Sequence, residues 1–279
     1  MQRLSKIVVS SLAFAAVSMT MAQSPGPSPV LRFIREDIKP GKGAAHEKTE
    51  AAFVRAFSKA DYAHYTALVA TTGPSHALFM ERYDSFAALE KAMASTEKEP
   101  VKSALDQAEA ADGELRSGER EMIGTYRQEL SYTPVPPNLP KYHFYSVTTV
   151  RVRPGHSDDF EALTKLLAAH WEKIGSKQRR VVYGITSGAP GGTYLILSGM
   201  ETLASMDPPR PAVPPAQSFG DDWARYQKLL SDAVISTENL LYSVSPKMSY
   251  PRKEFIEADP DFWAPKPKPA AAAKPAASK

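Results

Sequence analysis

The chain has 279 residues, 43% of them hydrophobic and 23% charged, and no cysteine. That composition suits two globular domains of roughly 100–150 residues each. It excludes a disulfide-stapled scaffold and a thiolate zinc site. The formal charge of +3 comes from the chain ends. Without Arg3, Lys6, Lys266, Lys268, Lys274 and Lys279, basic residues fall from 34 to 28 against 31 acidic ones, which argues against a nucleic-acid partner.

At the N-terminus, Arg3 and Lys6 precede an uncharged stretch from Ile7 to Val17, and Thr20-Met21-Ala22 sets small residues at −3 and −1. This predicts a secretory signal over 1–22, cleaved after Ala22. The stretch is shorter than the roughly 20 apolar residues needed to span a bilayer. The expectation is a periplasmic or secreted protein with no transmembrane segment once the signal is removed. A leader over 23–30 follows, then a unit over 31–132, a proline linker over 133–140 and a second unit over 141–250. An extension over 251–263 carries the aromatic anchors Phe255, Phe262 and Trp263. The Pro/Ala/Lys tail over 264–279 is predicted to be disordered.

The two units match internally. Ile38-Lys39-Pro40-Gly41 corresponds to Val152-Arg153-Pro154-Gly155, an offset of 114. Each motif ends an apolar extended stretch and precedes a helix-period pattern. In the second unit that pattern is Phe160, Leu163, Leu167, Trp171 and Ile174, with Ser157 as the helix start; Phe53 and Phe57 answer Leu167 and Trp171. Hairpins are predicted over Tyr65–Tyr83 and Arg180–Met200, second helices over Val101–Ala110 and Asp221–Ala233, and closing strands in which Met122-Ile123 answers Leu240-Leu241. Each unit therefore reads strand–helix–strand–strand–helix–strand. The fold class is α+β: two tandem ferredoxin-like βαββαβ units packed sheet to sheet.

The apolar strand, charged residue, Pro-Gly and amphipathic helix, closing on Leu130-Ser131-Tyr132 and Met248-Ser249-Tyr250, resemble the dimeric α/β-barrel superfamily. The tandem is similar to NIPSNAP-type proteins and to the antibiotic-biosynthesis-monooxygenase group. That resemblance implies a pseudo-dimeric α/β barrel. It leaves activity open, since the superfamily includes cofactor-free oxygenases, haem enzymes, isomerases and stress proteins.

No catalytic constellation stands out. Of the six histidines, none forms a His-x-His or His-x-x-x-His pair, and no metal site is expected. His64 and His76 flank the first hairpin and are candidates to converge at a barrel mouth, against a reading as solvent-facing loop residues. His170, on the first helix of the second unit, is a minor candidate for a haem ligand on the strength of the resemblance; otherwise no cofactor is expected. Alternation sends Arg35 and Asp37 to one sheet face and Glu36 to the other. Tyr65, Phe79, Tyr83, Tyr145, Tyr183 and Tyr194 surround the expected cleft. The candidate ligand-binding set is therefore His64, His76, Tyr83, Arg35, Glu36, Tyr145, Tyr183 and Tyr194. The first reading is a protein that binds a small apolar or aromatic molecule, as monomer or homodimer. A cofactor-free oxygenase and a structural module with a filled barrel are the alternatives.

Overall fold

The computed structural model describes residues 26–60, 62–207 and 212–264. The predicted signal, most of the tail and part of the Pro-rich insertion before the last long helix lie outside those residues. In the first unit the chain runs β1 (Val30–Ile38), α1 (Gly43–Phe57), β2 (Tyr65–Ala70), β3 (His76–Tyr83), α2 (Phe86–Thr96), α3 (Val101–Gly113) and β4 (Arg116–Tyr126). The second unit repeats this as β5 (Phe144–Val152), α4 (Ser157–Lys173), β6 (Val181–Ser187), β7 (Thr193–Met200), a short α5 (Pro215–Phe219), α6 (Trp223–Ala233) and β8 (Val234–Val244). Two short helices, α7 (Lys253–Ala258) and α8 (Pro260–Trp263), close the chain.

Strand order around the sheet is β1-β3-β2-β8-β5-β7-β6-β4, a closed barrel. Each half is an antiparallel ferredoxin-like sheet. The halves face each other as the sequence predicts, and they are also hydrogen-bonded along both edges. β2 joins β8 through Leu68 opposite Val244, and β4 joins β6 through Tyr126 opposite Tyr183. Closure removes the free edges that a lone four-stranded sheet would leave. The offset of 114 holds down to irregularities: β1–β4 slips register between Asp37 and Ile38, and β5–β8 slips between Arg151 and Val152.

Alternation sorts the strand residues into two layers. Inside the barrel, Phe33, Leu68, Met80 and Leu195 are at most 2% exposed and fill its middle. Burial of each such side chain stabilises by roughly 1.5–3 kcal/mol. Outside, the sheets are covered by α1 and α3 in one half and by α4 and α6 in the other. Trp263 of α8 is buried against the barrel cluster and donates its indole N–H to the Pro140 carbonyl at 2.7 Å. Among the described residues, no helix is long and apolar enough to cross a membrane.

Several local expectations are corrected. α2 is an extra helix where the sequence suggested only an exit from the sheet; Ser85 Oγ caps it by accepting from the Ala88 N–H at 3.1 Å. α4 does begin at Ser157, with His156 in the cap position before it. Ile174 lies past the end of α4 and is 56% exposed, so it leaves the apolar stripe. Trp171 is half-buried and lies under the Arg180 guanidinium at 3.6 Å, outside the main core clusters.

Candidate functional site

The cleft between the outer sheet face and the helices of the first unit begins with β1. Its outward residues Arg32, Ile34 and Glu36 form the floor with Phe79 and Glu81 of β3. Phe53 and Phe57 of α1 and Leu105 of α3 form walls, and the cavity has a volume of about 310 Å³. That is the lower end of the range for small-molecule sites. Seven carboxylates line it (Glu36, Glu50, Glu81, Asp106, Glu109, Glu119 and Glu121) against the two arginines Arg32 and Arg116.

The polar lining falls into two groups. In the first, Glu81 accepts from Tyr62 at 2.9 Å, from Tyr83 at 2.8 Å and from Arg32 at 3.3 Å. Arg32 also grips Glu121 through Nε at 3.1 Å and Nη2 at 2.6 Å. Burial would weaken the Arg32 charge, but Glu81 and Glu121 outweigh it and hold the guanidinium protonated. Burial, then the Glu81 charge, pushes both the Tyr62 and Tyr83 hydroxyls above the ordinary phenol range. This group is satisfied, and it fixes a donor–acceptor rim.

The second group lies deeper and is not satisfied. His46 and Glu50 sit one turn apart on α1, facing Glu36 on β1 and Asp112 near the end of α3. All four are buried, at 7% exposure or less. His46 Nδ1 lies 2.8 Å from Asp112 Oδ1, which the Thr49 hydroxyl also approaches. Burial would raise the Asp112 pKa, yet the hydrogen bonds from His46 and Thr49 bring it below the usual carboxylate value. An ionised carboxylate can only accept, so the Nδ1 hydrogen belongs to His46 and Nε2 is the ring nitrogen left to meet another group. That Nε2 faces Glu36 Oε2 at 3.4 Å. Neither atom has a hydrogen-bond partner, nor does the buried Tyr65 hydroxyl.

Among the described residues, Arg116 is the arginine paired with this group. It donates to Glu36 Oε1 at 2.8 Å, lies 3.1 Å from Asp112 Oδ2, and also contacts Glu109 and Glu119. One guanidinium cannot neutralise that many acids. Burial therefore raises Glu36 to about 7, although Arg116 and His46 oppose the shift. Glu50 rises to about 9 through burial, with Glu36 and Asp112 adding to it.

The second unit provides an internal comparison. Through the shared offset and the matching registers, Glu36, His46 and Glu50 correspond to Val150, Phe160 and Thr164, and Arg116 corresponds to Val234. There the same space is packed: Phe160, Leu163, Val150, Val152 and Val182 form one cluster with Tyr194, whose ring centroid is 4.8 Å from that of Phe160. The polar group is therefore not something this fold requires.

A second cavity, of about 440 Å³, opens at one mouth of the barrel beneath residues 26–29 and 250–252. It holds three of the sequence candidates: His64, Tyr145 and Tyr183. Several of its polar groups are occupied. The Tyr183 hydroxyl donates to the Ser28 carbonyl at 2.9 Å, His64 Nδ1 lies 3.2 Å from the Tyr250 carbonyl, and Arg82 donates to Thr66 at 3.0 Å. Gly199 lies under the Tyr142 ring there, where an added Cβ would clash.

The sequence candidates thus scatter. His64 and His76 do not converge: Tyr65 pairs with Glu81 near one end of β3, and His76 begins the other end. His76 is 1% exposed, with Nδ1 2.7 Å from the Pro74 carbonyl and Nε2 2.7 Å from the Tyr242 hydroxyl. Arg35 pairs with Asp37 at 2.9 Å on the inner face. Glu36 is in the cleft, and Tyr83 supports it through Glu81. Tyr194 packs in the second unit's core and lines neither cavity. His170 also lies outside both, stacked on Phe219 at 3.8 Å with Nε2 3.3 Å from Ser218 Oγ. Sequence reasoning missed His46, Glu50 and Asp112. The His46–Glu50 spacing of four on a helix, and the exchange of His46 for Phe160 between the units, were the available signals.

No family model matches the chain, and no curated protein does. Among solved structures, an anthrone oxidase-like protein matches at 16% identity and a TM-score of 0.54, over 80% of this chain and 94% of that one. A "putative monooxygenase" from Lactobacillus acidophilus NCFM matches at 7% identity and a TM-score of 0.50, over 78% and 94%. A chlorite dismutase from Candidatus Nitrospira defluvii matches at 12% identity over 83% and 95%, but its TM-score of 0.43 is too low to carry an argument. At these identities the first two likenesses speak for the fold alone, and with the closed barrel they place this chain in the dimeric α/β-barrel fold, both halves supplied by one polypeptide.

Proposed function

We propose that the protein binds a small aromatic molecule, neutral or cationic, in the cleft of its first unit. The observation that carries this reading is the difference between the two halves: one keeps a cavity with phenylalanine walls and seven carboxylates, and the other fills the equivalent space with Phe160 and Tyr194. Phe53, Phe57 and Phe79 line the cleft with aromatic surface that suits a flat ligand. The excess of carboxylates disfavours an anion. The volume suits a single ring with a short substituent.

Thermal-shift titration with phenol, tyramine and 4-hydroxybenzoate tests this. Phenol and tyramine are expected to raise the melting temperature and the benzoate to leave it unchanged. In Leu105→Trp, which fills the cleft, the shifts should vanish. Absence of any shift in the wild type, or its persistence in that variant, would remove the proposal.

A second reading, turnover of the ligand as an oxygenase, is favoured by the names of the two structures that share the fold. Ligand-dependent oxygen consumption would support it. The charged start, the apolar stretch from Ile7 to Val17 and the small residues before Gln23 favour action outside the cytoplasm. N-terminal sequencing of the protein from its native compartment should begin at Gln23. The tandem of two units favours kinship with NIPSNAP-type proteins.

A further inference from the structure

We infer that Glu36 Oε2, His46 Nε2 and a Glu50 carboxylate oxygen hold a divalent transition-metal ion at the bottom of the first unit's cleft, with Asp112 orienting His46. The inference goes beyond the aromatic-ligand reading and does not depend on it.

Geometry comes first. One ligand atom from each of Glu36, His46, Glu50 and Asp112 can be chosen so that all lie within 4.8 Å of one another. Ligands about 2.0–2.2 Å from a tetrahedral ion stand roughly 3.3–3.6 Å apart, and Glu36 Oε2 and His46 Nε2 already stand 3.4 Å apart. Orphaned atoms are the second and independent observation. His46 is 2% exposed and Glu36 7%, and two of the cluster's three atoms without hydrogen-bond partners, Nε2 and Oε2, face each other at 3.4 Å; the third is Asp112 Oδ2. A lone pair opposite a carboxylate oxygen is repulsive unless a proton or a cation lies between them. The Tyr65 hydroxyl, also unpartnered, lines the same cleft.

The surroundings match what metal ligands need. A ligating histidine commonly gives its other ring N–H to a carboxylate, which fixes the tautomer; Asp112 stands there at 2.8 Å from Nδ1. Arg116 takes the other oxygen of Glu36 at 2.8 Å, leaving Oε2 free. Three buried carboxylates face one arginine, so ionising them for ligation leaves negative charge that a divalent ion would neutralise as it displaces their protons. The imidazole nitrogen favours a first-row transition ion over Mg²⁺ or Ca²⁺, which take oxygen ligands. In the second unit the three positions are Val150, Phe160 and Thr164, so every proposed ligand is lost together.

The test uses the mature full-length chain, stripped with chelator and titrated with Zn²⁺ by calorimetry, then with Co²⁺ by absorption spectroscopy. No organic ligand is present, so failure here leaves the aromatic-ligand reading standing; Leu105→Trp, which keeps all three metal ligands, tests that reading alone. One equivalent of Zn²⁺ is expected, with a change in the ¹⁵N resonance of His46 Nε2 and Co²⁺ ligand-field bands. Glu50→Gln, which preserves volume, should weaken binding at least tenfold. The triple variant Glu36→Val, His46→Phe, Glu50→Thr, which copies the second unit, should abolish it. An unmoved His46 resonance in the wild type, or binding unchanged in both variants, would assign the metal to the surface and overturn the inference.

Discussion

His46 and Phe160 occupy the same position in two copies of one fold, and the two halves diverge around them. Phe160 packs against Tyr194 and closes its half, whereas His46 is held by Asp112 and turns Nε2 toward Glu36. An imidazole at this point requires an acid on one side and a proton or cation on the other. A phenyl ring requires only apolar neighbours. The surrounding exchanges of Glu36 for Val150 and Arg116 for Val234 follow that difference.

Removing the orienting acid should separate position from charge. Asp112→Asn keeps the volume but cannot accept as an anion from Nδ1, so His46 loses its fixed tautomer. Zn²⁺ affinity is expected to fall about 10–100-fold, in line with other second-sphere partners. Calorimetry on the folded variant reads this directly.

Stability of the metal-free protein should fall as pH rises. Glu50 has a folded pKa of about 9 and Glu36 of about 7, each above the ordinary 4.5. Between the unfolded and folded values the native state binds more protons than the unfolded chain, so stability present below about 4.5 is lost through pH 7 to 9. Glu50→Gln should flatten that slope and raise stability at pH 8.5 by on the order of a few kcal/mol. Urea denaturation at pH 5, 7 and 8.5 measures both effects.

Tyr242→Phe should destabilise the barrel interior. It removes the hydroxyl 2.7 Å from His76 Nε2 and leaves a buried nitrogen unpaired, at a cost of about 1–3 kcal/mol. Burial lowers the His76 pKa, although the Pro74 carbonyl partly opposes it. Below pH 6.5 the unfolded chain therefore takes up this proton first, and stability declines on acidification. Chemical denaturation at pH 7 and 5 tests the pair of effects.

Trp171 and Trp263 should respond differently to truncation. Trp171 is half-buried and contributes chiefly its stacking under Arg180, so Trp171→Ala is expected to cost about 1–2 kcal/mol. Trp263 is 4% exposed and bonded to Pro140, so Trp263→Ala should cost about 3–5 kcal/mol. Equal losses in thermal denaturation would mean that the extension is not part of the core.

Much of the architecture was legible in the sequence because its signals are local or repeated. Turn residues between β-rich runs marked the hairpins of β2–β3 and β6–β7, the Pro-Gly turns marked the starts of α1 and α4, and the offset of 114 exposed the tandem. The alternation that separated Glu36 from Arg35 and Asp37 placed them correctly on opposite faces. Tertiary structure decided the rest. His76 and Tyr194 looked like site residues and became packing residues, because Tyr242 and Phe160 reach them from distant strands and helices. The cluster of Glu36, His46, Glu50 and Asp112 draws on β1, α1 and α3, which meet only once both helices settle on the sheet. Periodicity records which way a side chain points. Whether it meets an acid, a ring or an empty cleft depends on elements far along the chain, and packing brings those together.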